Sequence, residues 1–283
     1  MCLPALSGCF VHVRRVPQAK MPRTVLSATP EQLTSLLNER YQKIQSLSAQ
    51  VTFQLTEGGS LKGKEKTFSA FSGYILMRRP GDVRVIGFLP VIHTQAFDMA
   101  SNGKTFTMVI PPKNQAFTGT NTVTEPAKNS IENLRPDIFF NSLLVQTITP
   151  DDLRVLTSET KTVVDPKGNR LLVDPLYDLT ILHRKSPDSN VLVPNRMIQF
   201  DRTTLMPSEE DIYDAQGSIE TQAIFGPPVN YVGIQFPSTI IIRRPLQQYQ
   251  ILVTFQKITF NLPLTNQEFR LKIPSGMPVK NLK

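Results

Sequence analysis

Apolar and polar side chains alternate along most of the chain, which is the pattern of β-strands with one buried face. The clearest stretch runs from Val51 through Phe53 to Leu55, with threonine and glutamine between them. Residues that accept positive φ separate many such stretches, as at 101–104, 165–169 and 214–217, and favour hairpins there. The pattern predicts an antiparallel meander with strands near 48–56, 68–79, 82–88, 93–100, 104–110, 115–120, 159–165, 169–173, 177–183, 195–203, 208–214, 218–225, 239–244 and 249–262.

Two segments break this alternation and predict helices. Thr29, Pro30 and Gln32 form a capping box with proline in the first turn. An apolar stripe at three- and four-residue spacing follows over about 18 residues, made of Leu33, Leu36, Leu37, Tyr41, Ile44 and Leu47. The second segment, 130–146, is apolar on nearly all sides of a helix. Such a helix must be covered by the protein or must itself cover a cavity.

Composition agrees with a β-rich protein, since 23 prolines and 14 glycines punctuate a chain of 283 residues. The net charge of +8 raises the question of a nucleic-acid partner. The basic residues come in ones and twos, as at 14–15, 78–79 and 243–244, without the run of cations and aromatic residues that nucleic-acid binding favours. We therefore expect no nucleic-acid partner. The charges are those of a solvated surface or of one attracted to anionic lipid.

Leu6-Ser7-Gly8-Cys9 has the small residues before cysteine that a bacterial lipobox requires. It predicts lipidation of Cys9 and a membrane anchor, with 1–9 as a truncated signal segment, 10–28 as a flexible tether and 29–283 as one folded domain. Only eight residues precede Cys9, too few for a secretory signal, so we expect translation to start upstream. The alternative is a chance tetrapeptide in a cytoplasmic protein. The other cysteine, Cys2, also lies within the first nine residues, so the body has no thiol.

Four segments in this order resemble the LolA/LolB family of lipoprotein carriers, over residues 31–282. The helix at 31–47 runs straight into a strand, and 71–87 carries an apolar strand ending at Arg79-Pro80. Residues 100–119 contain an Asn-Gly-Lys turn between two strands, and 269–282 resemble the family ending of a strand, a proline, a glycine and a short tail.

The resemblance implies a mainly β fold, a strongly curved antiparallel sheet that forms an unclosed barrel under a helical lid. Its implied ligands are acyl chains of lipoproteins or lipids. Arg79 matches an arginine that closes the lid, although Arg78 could take that role or Arg79 could simply face water. Phe88 and Leu89 match a membrane-insertion loop, although Leu89 could equally be buried. Together with the strand pattern, the resemblance places acyl-pocket residues on the inner face and the lid: Phe53, Leu55, Tyr74, Leu76, Val83, Val85, Phe106, Met108, Phe139, Phe140 and Leu143.

No motif for catalysis, a metal or a cofactor is present in the sequence. His12, His93 and His183 are far apart and lack neighbouring ligands, and the acidic run 209–211 is expected to be solvated. We therefore predict a non-enzymatic protein without cofactors or metals.

The chain is about 100 residues longer than a typical soluble carrier, mainly in 120–195, and an anchored protein cannot cross the periplasm. The predicted function is a monomeric, lipid-anchored acceptor or inserter of lipoproteins or lipids, at the outer membrane and facing the periplasm. The alternative is a structural or regulatory envelope lipoprotein that uses the same sheet to dock a protein.

Overall fold

In the computed structural model, which describes residues 14–122, 133–165, 170–186 and 188–282, the chain forms two α-helices and seventeen strands. The helices are α1 (Pro30–Lys43) and α2 (Asp137–Leu143). The strands before α2 are β1 (Ser46–Gly59), β2 (Lys64–Thr67), β3 (Phe71–Arg78), β4 (Asp82–Phe88), β5 (Gln95–Asn102), β6 (Thr105–Ile110) and β7 (Gln115–Thr120). Those after it are β8 (Leu153–Val164), β9 (Leu171–Arg184), β10 (Leu192–Asp201), β11 (Met206–Tyr213), β12 (Ile219–Phe225), β13 (Pro228–Tyr231), β14 (Ile234–Pro237), β15 (Thr239–Arg244), β16 (Tyr249–Phe260) and β17 (Val279–Leu282).

Fifteen of the strands in the described residues form one sheet with two free ends, in the order β17-β7-β6-β5-β4-β3-β1-β16-β15-β12-β11-β10-β9-β8, with β2 paired to β1. Each half is an antiparallel meander, as predicted. The halves are joined where β1 pairs with β16, so the first and nearly the last strands lie at the centre of the sheet. The one departure from the antiparallel pattern is β17, which runs parallel to β7.

The contacts of α2 show that the sheet is strongly curved, since this short helix touches strands that lie far apart in the sheet order. Helix α2 contacts β4, β12 and β15. Five strand spacings separate β4 from β12, which is about 24 Å on a flat sheet at about 4.8 Å a strand. A seven-residue helix is only about 10 Å long. The sheet therefore wraps around α2, as an unclosed barrel does around a lid.

The core lies on the inner face of this curve, in two clusters. The larger cluster joins β1, β3 to β7, β12, β15, β16 and α2. The smaller cluster packs Leu33 and Leu37 of α1 against Leu179, Ile198 and Phe200 of β9 and β10. Since Tyr41 and Ile44, at the other end of α1, belong to the larger cluster, α1 bridges the two.

The start of α1 confirms the predicted capping box. The Thr29 hydroxyl accepts from the Gln32 amide N–H, and the Gln32 side chain accepts from the Thr29 N–H. The helix is shorter than predicted, because Ile44 is already extended and β1 begins at Ser46. Leu47 thus belongs to the strand, where its inner-face position buries it equally well.

Two strand predictions are corrected by the fold. The strands predicted at 169–173 and 177–183 form one strand, β9. Pro175 does not break it, because it pairs with Thr160 of β8 and, on the other side, only its carbonyl is used, accepting from the Arg202 N–H just after β10. Residues 269–273 form no strand. The Glu268 carbonyl accepts from Arg84 at 2.8 Å and Phe269 stacks on Arg78, so this segment crosses the outer face of β3 and β4.

Part of the predicted tether lies against the folded body. Lys20 exchanges two backbone hydrogen bonds with β9, to the Leu171 carbonyl and from the Val173 N–H. The Leu26 N–H donates to the Arg202 carbonyl. Among the described residues, the predicted tether therefore lacks such contacts only before Lys20. Cys9 lies outside the described residues.

Candidate functional site

The larger cluster brings together most of the side chains predicted to face a pocket. Eight of them are buried there, and Leu55 packs against them from the strand end. They come from β1, β4, β6 and α2, which are separated in sequence and meet only because the sheet curves. The eight are Phe53, Val83, Val85, Phe106, Met108, Phe139, Phe140 and Leu143.

The prediction was wrong for β3, where Tyr74 and Leu76 do not face the core. Ile75 and Met77 are fully buried, whereas Tyr74 is 43% exposed and packs on the Phe88 ring at 5.9 Å. Residues 74–77 are all apolar, so alternation alone cannot choose between the two faces. The choice is made by pairing, since Ile75 lies opposite Ala49, on the buried face of β1.

A small apolar cavity of about 70 Å³ remains between the sheet and α2. Phe53 lies at its floor, with its ring centroid 5.5 Å from Phe71 and 6.0 Å from Phe139 of the lid. Gly87 makes room for the rings, because a Cβ there would come within 2.4 Å of the Phe97 ring. Leu55, Glu57, Leu134, Tyr249 and Ile251 complete the lining. The walls are almost wholly hydrocarbon, as a pocket for an alkyl chain requires.

The lid helix α2 is shorter than the sequence predicted, since it begins at Asp137, after Pro136, and ends at Leu143, before the extended Leu144. The chain beyond it is fixed by side chains of other elements. Arg196 of β10 donates to the carbonyls of Gln146 and Thr147, both at 3.1 Å. Asn38 of α1 both donates to and accepts from the Ile148 backbone. The lid is thus tied to α1 and β10 at its C-terminal end.

The acidic run at 209–211 was predicted to be solvated, and this prediction was wrong. Glu210 is buried beside Arg196, with its Oε1 3.3 Å from the guanidinium. Burial raises the pKa of Glu210 to about 7, against the lowering effect of Arg196. On the other face of β11, Gln222 donates to both Glu209 and Asp211. Hydrogen-bonded partners on neighbouring strands allow these carboxylates to be buried, and local sequence does not reveal such partners.

A second carboxylate with a raised pKa, the half-buried Asp137, lies at the N-terminal end of the lid. Burial raises its pKa from the ordinary 3.8 to about 6, although Arg244, the Ile138 N–H and Arg135 act in the opposite direction. The unfolded chain therefore loses this proton at a lower pH than the folded protein does. Stability is highest while the group is protonated in both states, and it falls as pH rises from about 4 to about 6.

The Asp137→Asn variant is expected to lose this part of the pH dependence. Between pH 4.5 and 7.5 the wild-type free energy of unfolding should fall by about 2 kcal/mol more than that of the variant, since one pKa unit corresponds to about 1.4 kcal/mol and part of the effect is already present at pH 4.5. Urea denaturation at the two pH values measures this difference. Asp188→Asn, at an exposed loop position, is the matched control. If the free energy of unfolding depends on pH equally in wild type and Asp137→Asn, the raised pKa of Asp137 is contradicted.

Arg79 packs on α1 and has no contact with α2 among its described interactions. It donates to the Tyr41 carbonyl at 3.1 Å, and its guanidinium lies 3.9 Å from the centroid of the Tyr41 ring. Arg78 points to the outer face, where it pairs with Asp82 and donates to the Leu264 carbonyl. Of the two arginines, Arg79 is therefore the one that holds a helix over the sheet, and the helix is α1.

The turn between β4 and β5 exposes apolar side chains three positions beyond those predicted. Phe88 and Leu89 are only partly exposed, whereas Val91 is 91% and Ile92 is 65% exposed. The Leu89 N–H donates to the Thr94 carbonyl and closes the turn. Gly73 of β3 pairs with Gly87 of β4, so Phe71, two residues before Gly73, lies beside Leu89 in this turn. Phe71 also lines the cavity. The exposed turn and the cavity thus lie at the same end of the strands.

His93 and His183 are both exposed, and His12 lies outside the described residues. Among the described residues, no group of three histidine, cysteine, aspartate or glutamate side chains could hold a metal ion. No described helix is long and apolar enough to cross a bilayer.

No protein-family model and no curated protein sequence matches the chain. Solved structures do. A DUF1329 family protein from Desulfovibrio piger is 11% identical, with a TM-score of 0.55, over 85% of this chain and 95% of that one. A LolA superfamily protein from Nitrosomonas europaea is 13% identical, with a TM-score of 0.50, over 87% of this chain and 99% of that one. At this level of identity the likeness shows the fold, and the predicted LolA-like fold is confirmed.

Proposed function

We propose that this protein, whose fold is LolA-like, is an envelope protein that binds the acyl chains of lipoproteins or lipids beneath α2. In this proposal it accepts or inserts them at the outer membrane, without catalysing a reaction. The observation that carries the proposal is the cavity lined by Phe53, Phe71, Phe97 and Phe139, under a lid tied down by polar contacts at its C-terminal end. Aromatic walls of this kind suit the binding of an alkyl chain.

Binding requires the lid to move. The cavity of about 70 Å³ is far smaller than the roughly 300 Å³ or more of a typical ligand pocket. Helix α2 has only seven residues, too few to be stable away from the sheet. Its buried side chains Ile138, Phe139 and Phe140 occupy the space that an acyl chain would take. An incoming chain would replace these apolar contacts, so that opening the lid leaves little apolar surface in water.

Two further features suit a position at a membrane. Val91 and Ile92 protrude at the end of the strands where the cavity lies, so bilayer contact there would bring the cavity towards the lipid. Lipidation of Cys9, which the sequence predicts, would hold the protein at that surface with two acyl chains, enough for stable anchoring. We propose a monomer facing the periplasm, with its own anchor separate from the chains it binds.

Mass spectrometry of the intact protein, extracted gently from cells that express it from its native locus, tests the proposal. We expect a covalent diacylglyceryl mass that disappears in Cys9→Ala, and non-covalently bound lipid or lipopeptide that remains in both. A protein without bound lipid, together with a partner protein captured independently of acyl chains, would favour the protein-docking alternative. Bound lipid without a covalent mass would overturn only the anchor.

A further inference from the structure

At the end of the strands where the cavity lies, the inner face of the sheet changes from apolar to polar between one cross-strand pair and the next. Leu55 and Ile251 are paired on β1 and β16, and the next inward-facing pair is Glu57 and Tyr249. Arg244 of β15 pairs with Tyr249 and extends the polar row. Its Nη1 donates to the Thr221 hydroxyl of β12 at 2.6 Å. A row of four polar side chains therefore crosses four neighbouring strands directly above the apolar surface.

The N-terminal end of the lid adds two charged groups to this row. Arg135 is 2% exposed, lies 4.8 Å from the centroid of the Phe106 ring and donates to the Thr120 carbonyl. Asp137 is the first residue of α2, and its charge acts on Arg135, Arg244 and Tyr249. Two of these polar side chains, Glu57 and Tyr249, line the cavity, and the others extend the polar row away from it. The six are named the polar collar: Glu57, Arg135, Asp137, Thr221, Arg244 and Tyr249.

Two atoms of the polar collar are buried without a hydrogen-bond partner among the described residues, the Tyr249 hydroxyl and Asp137 Oδ1. Tyr249 is 6% exposed and lines the cavity. Burial raises its pKa to about 12, so the phenol keeps its proton and can donate. Because an unpaired buried polar group is costly and rare, the pair indicates a ligand that offers an acceptor to Tyr249 and a donor to Asp137.

We propose that the polar collar binds the uncharged head of an amphiphile, an amide or a hydroxyl-bearing group, while its alkyl chain lies in the cavity. This inference rests on the proposed function and names the chemistry of the ligand at the same site. An amide supplies both groups at once, with a carbonyl oxygen that accepts from Tyr249 and an N–H that donates to Asp137. An ester supplies only the acceptor.

The charges of the polar collar argue against an anionic head such as a phosphate. Arg244 already donates to Thr221, to Glu220 at 3.0 Å and to Gln247 at 3.1 Å. Glu57 lines the cavity, and Asp137 interacts electrostatically with Arg244 and Arg135. Asp137 and Glu220 thus offset the two arginines, and Glu57 adds a third carboxylate at the cavity, so no surplus positive charge remains to offset the desolvation of a phosphate.

Displacement of N-phenylnaphthylamine fluorescence from the full-length protein by four ligands of equal chain length tests the proposal. The ligands are N-dodecylacetamide, dodecyl acetate, dodecyl phosphate and dodecane. We expect the amide to bind most tightly and the phosphate to gain nothing over the acetate. In Tyr249→Phe, which removes only the hydroxyl, the advantage of the amide over dodecane should fall about tenfold, the effect of one hydrogen bond. Tyr74→Phe, on the outer face, is the matched control.

The possible outcomes separate this inference from the function on which it rests. Displacement by all four ligands with equal strength, or an equal loss for amide and dodecane in Tyr249→Phe, would overturn the head-group role and leave acyl binding standing. Tightest binding of dodecyl phosphate would overturn the uncharged head. Failure of every ligand to displace the probe would overturn both proposals. Unfolding of Tyr249→Phe in urea should match wild type, because the lost hydroxyl makes no hydrogen bond within the described residues.

Discussion

Replacing Phe139 with alanine is expected to lower the free energy of unfolding by about 3–5 kcal/mol, the usual cost of truncating a buried phenylalanine. Phe139 is 1% exposed and is the lid side chain that packs on Phe53. The same change removes apolar contact between α2 and the sheet, so the open lid becomes more populated. Because ligand affinity scales with the population of the competent state, binding of dodecyl ligands should tighten by about tenfold. Urea denaturation and probe displacement measure the two effects.

Phe200→Ala is the matched control for this prediction. Phe200 is fully buried, but it belongs to the smaller cluster beside α1 and does not line the cavity. It should cost as much stability as Phe139→Ala while leaving ligand affinity unchanged. If both variants tighten binding, the gain comes from general loosening of the fold. If Phe139→Ala weakens binding, Phe139 contacts the bound chain instead of excluding it.

Local sequence predicted the elements whose formation depends on near neighbours. The capping box at Thr29 and Gln32 needs only four residues, and it is present as predicted. Along β1, one face is apolar and the other polar, so the burial of Phe53 follows from alternation alone. The resemblance to LolA-like carriers added the curvature of the sheet, which alternation cannot give.

The parts that sequence could not predict depend on contacts between distant segments. Tyr74 and Leu76 were placed on the wrong face because four apolar residues in a row fit both faces equally. Glu210 was expected in solvent because its partner, Arg196, lies on another strand. The polar collar went unseen for the same reason, since Glu57, Tyr249 and Arg244 become neighbours only through strand pairing. A lone polar residue at the end of an apolar strand, such as Glu57 after Leu55, is the signal that could have indicated it.

A double substitution of Val91 and Ile92 by serine is expected to weaken binding to lipid vesicles by about a hundredfold or more. In the proposed orientation these side chains enter the bilayer, and burying each contributes about 1.5–3 kcal/mol. Every 1.4 kcal/mol or so is a factor of about ten in affinity. The measurement is co-sedimentation with phosphatidylethanolamine and phosphatidylglycerol vesicles, using Cys9→Ala protein so that the anchor does not mask the turn.

The chain supplies a matched control in the separate two-stranded hairpin of β13 and β14, where Val229 and Val232 are also exposed. Serine at both positions removes a comparable apolar surface, yet it should leave vesicle binding unchanged, because this hairpin does not adjoin the cavity. Equal losses in the two variants would mean that any exposed valine contributes to adsorption, and the proposed orientation would fail. If only the Val91 and Ile92 variant loses vesicle binding, with its free energy of unfolding unchanged, the end of the strands that holds the polar collar lies at the bilayer surface. A head group leaving the membrane would then meet Tyr249 and Asp137 as its chain enters beneath α2.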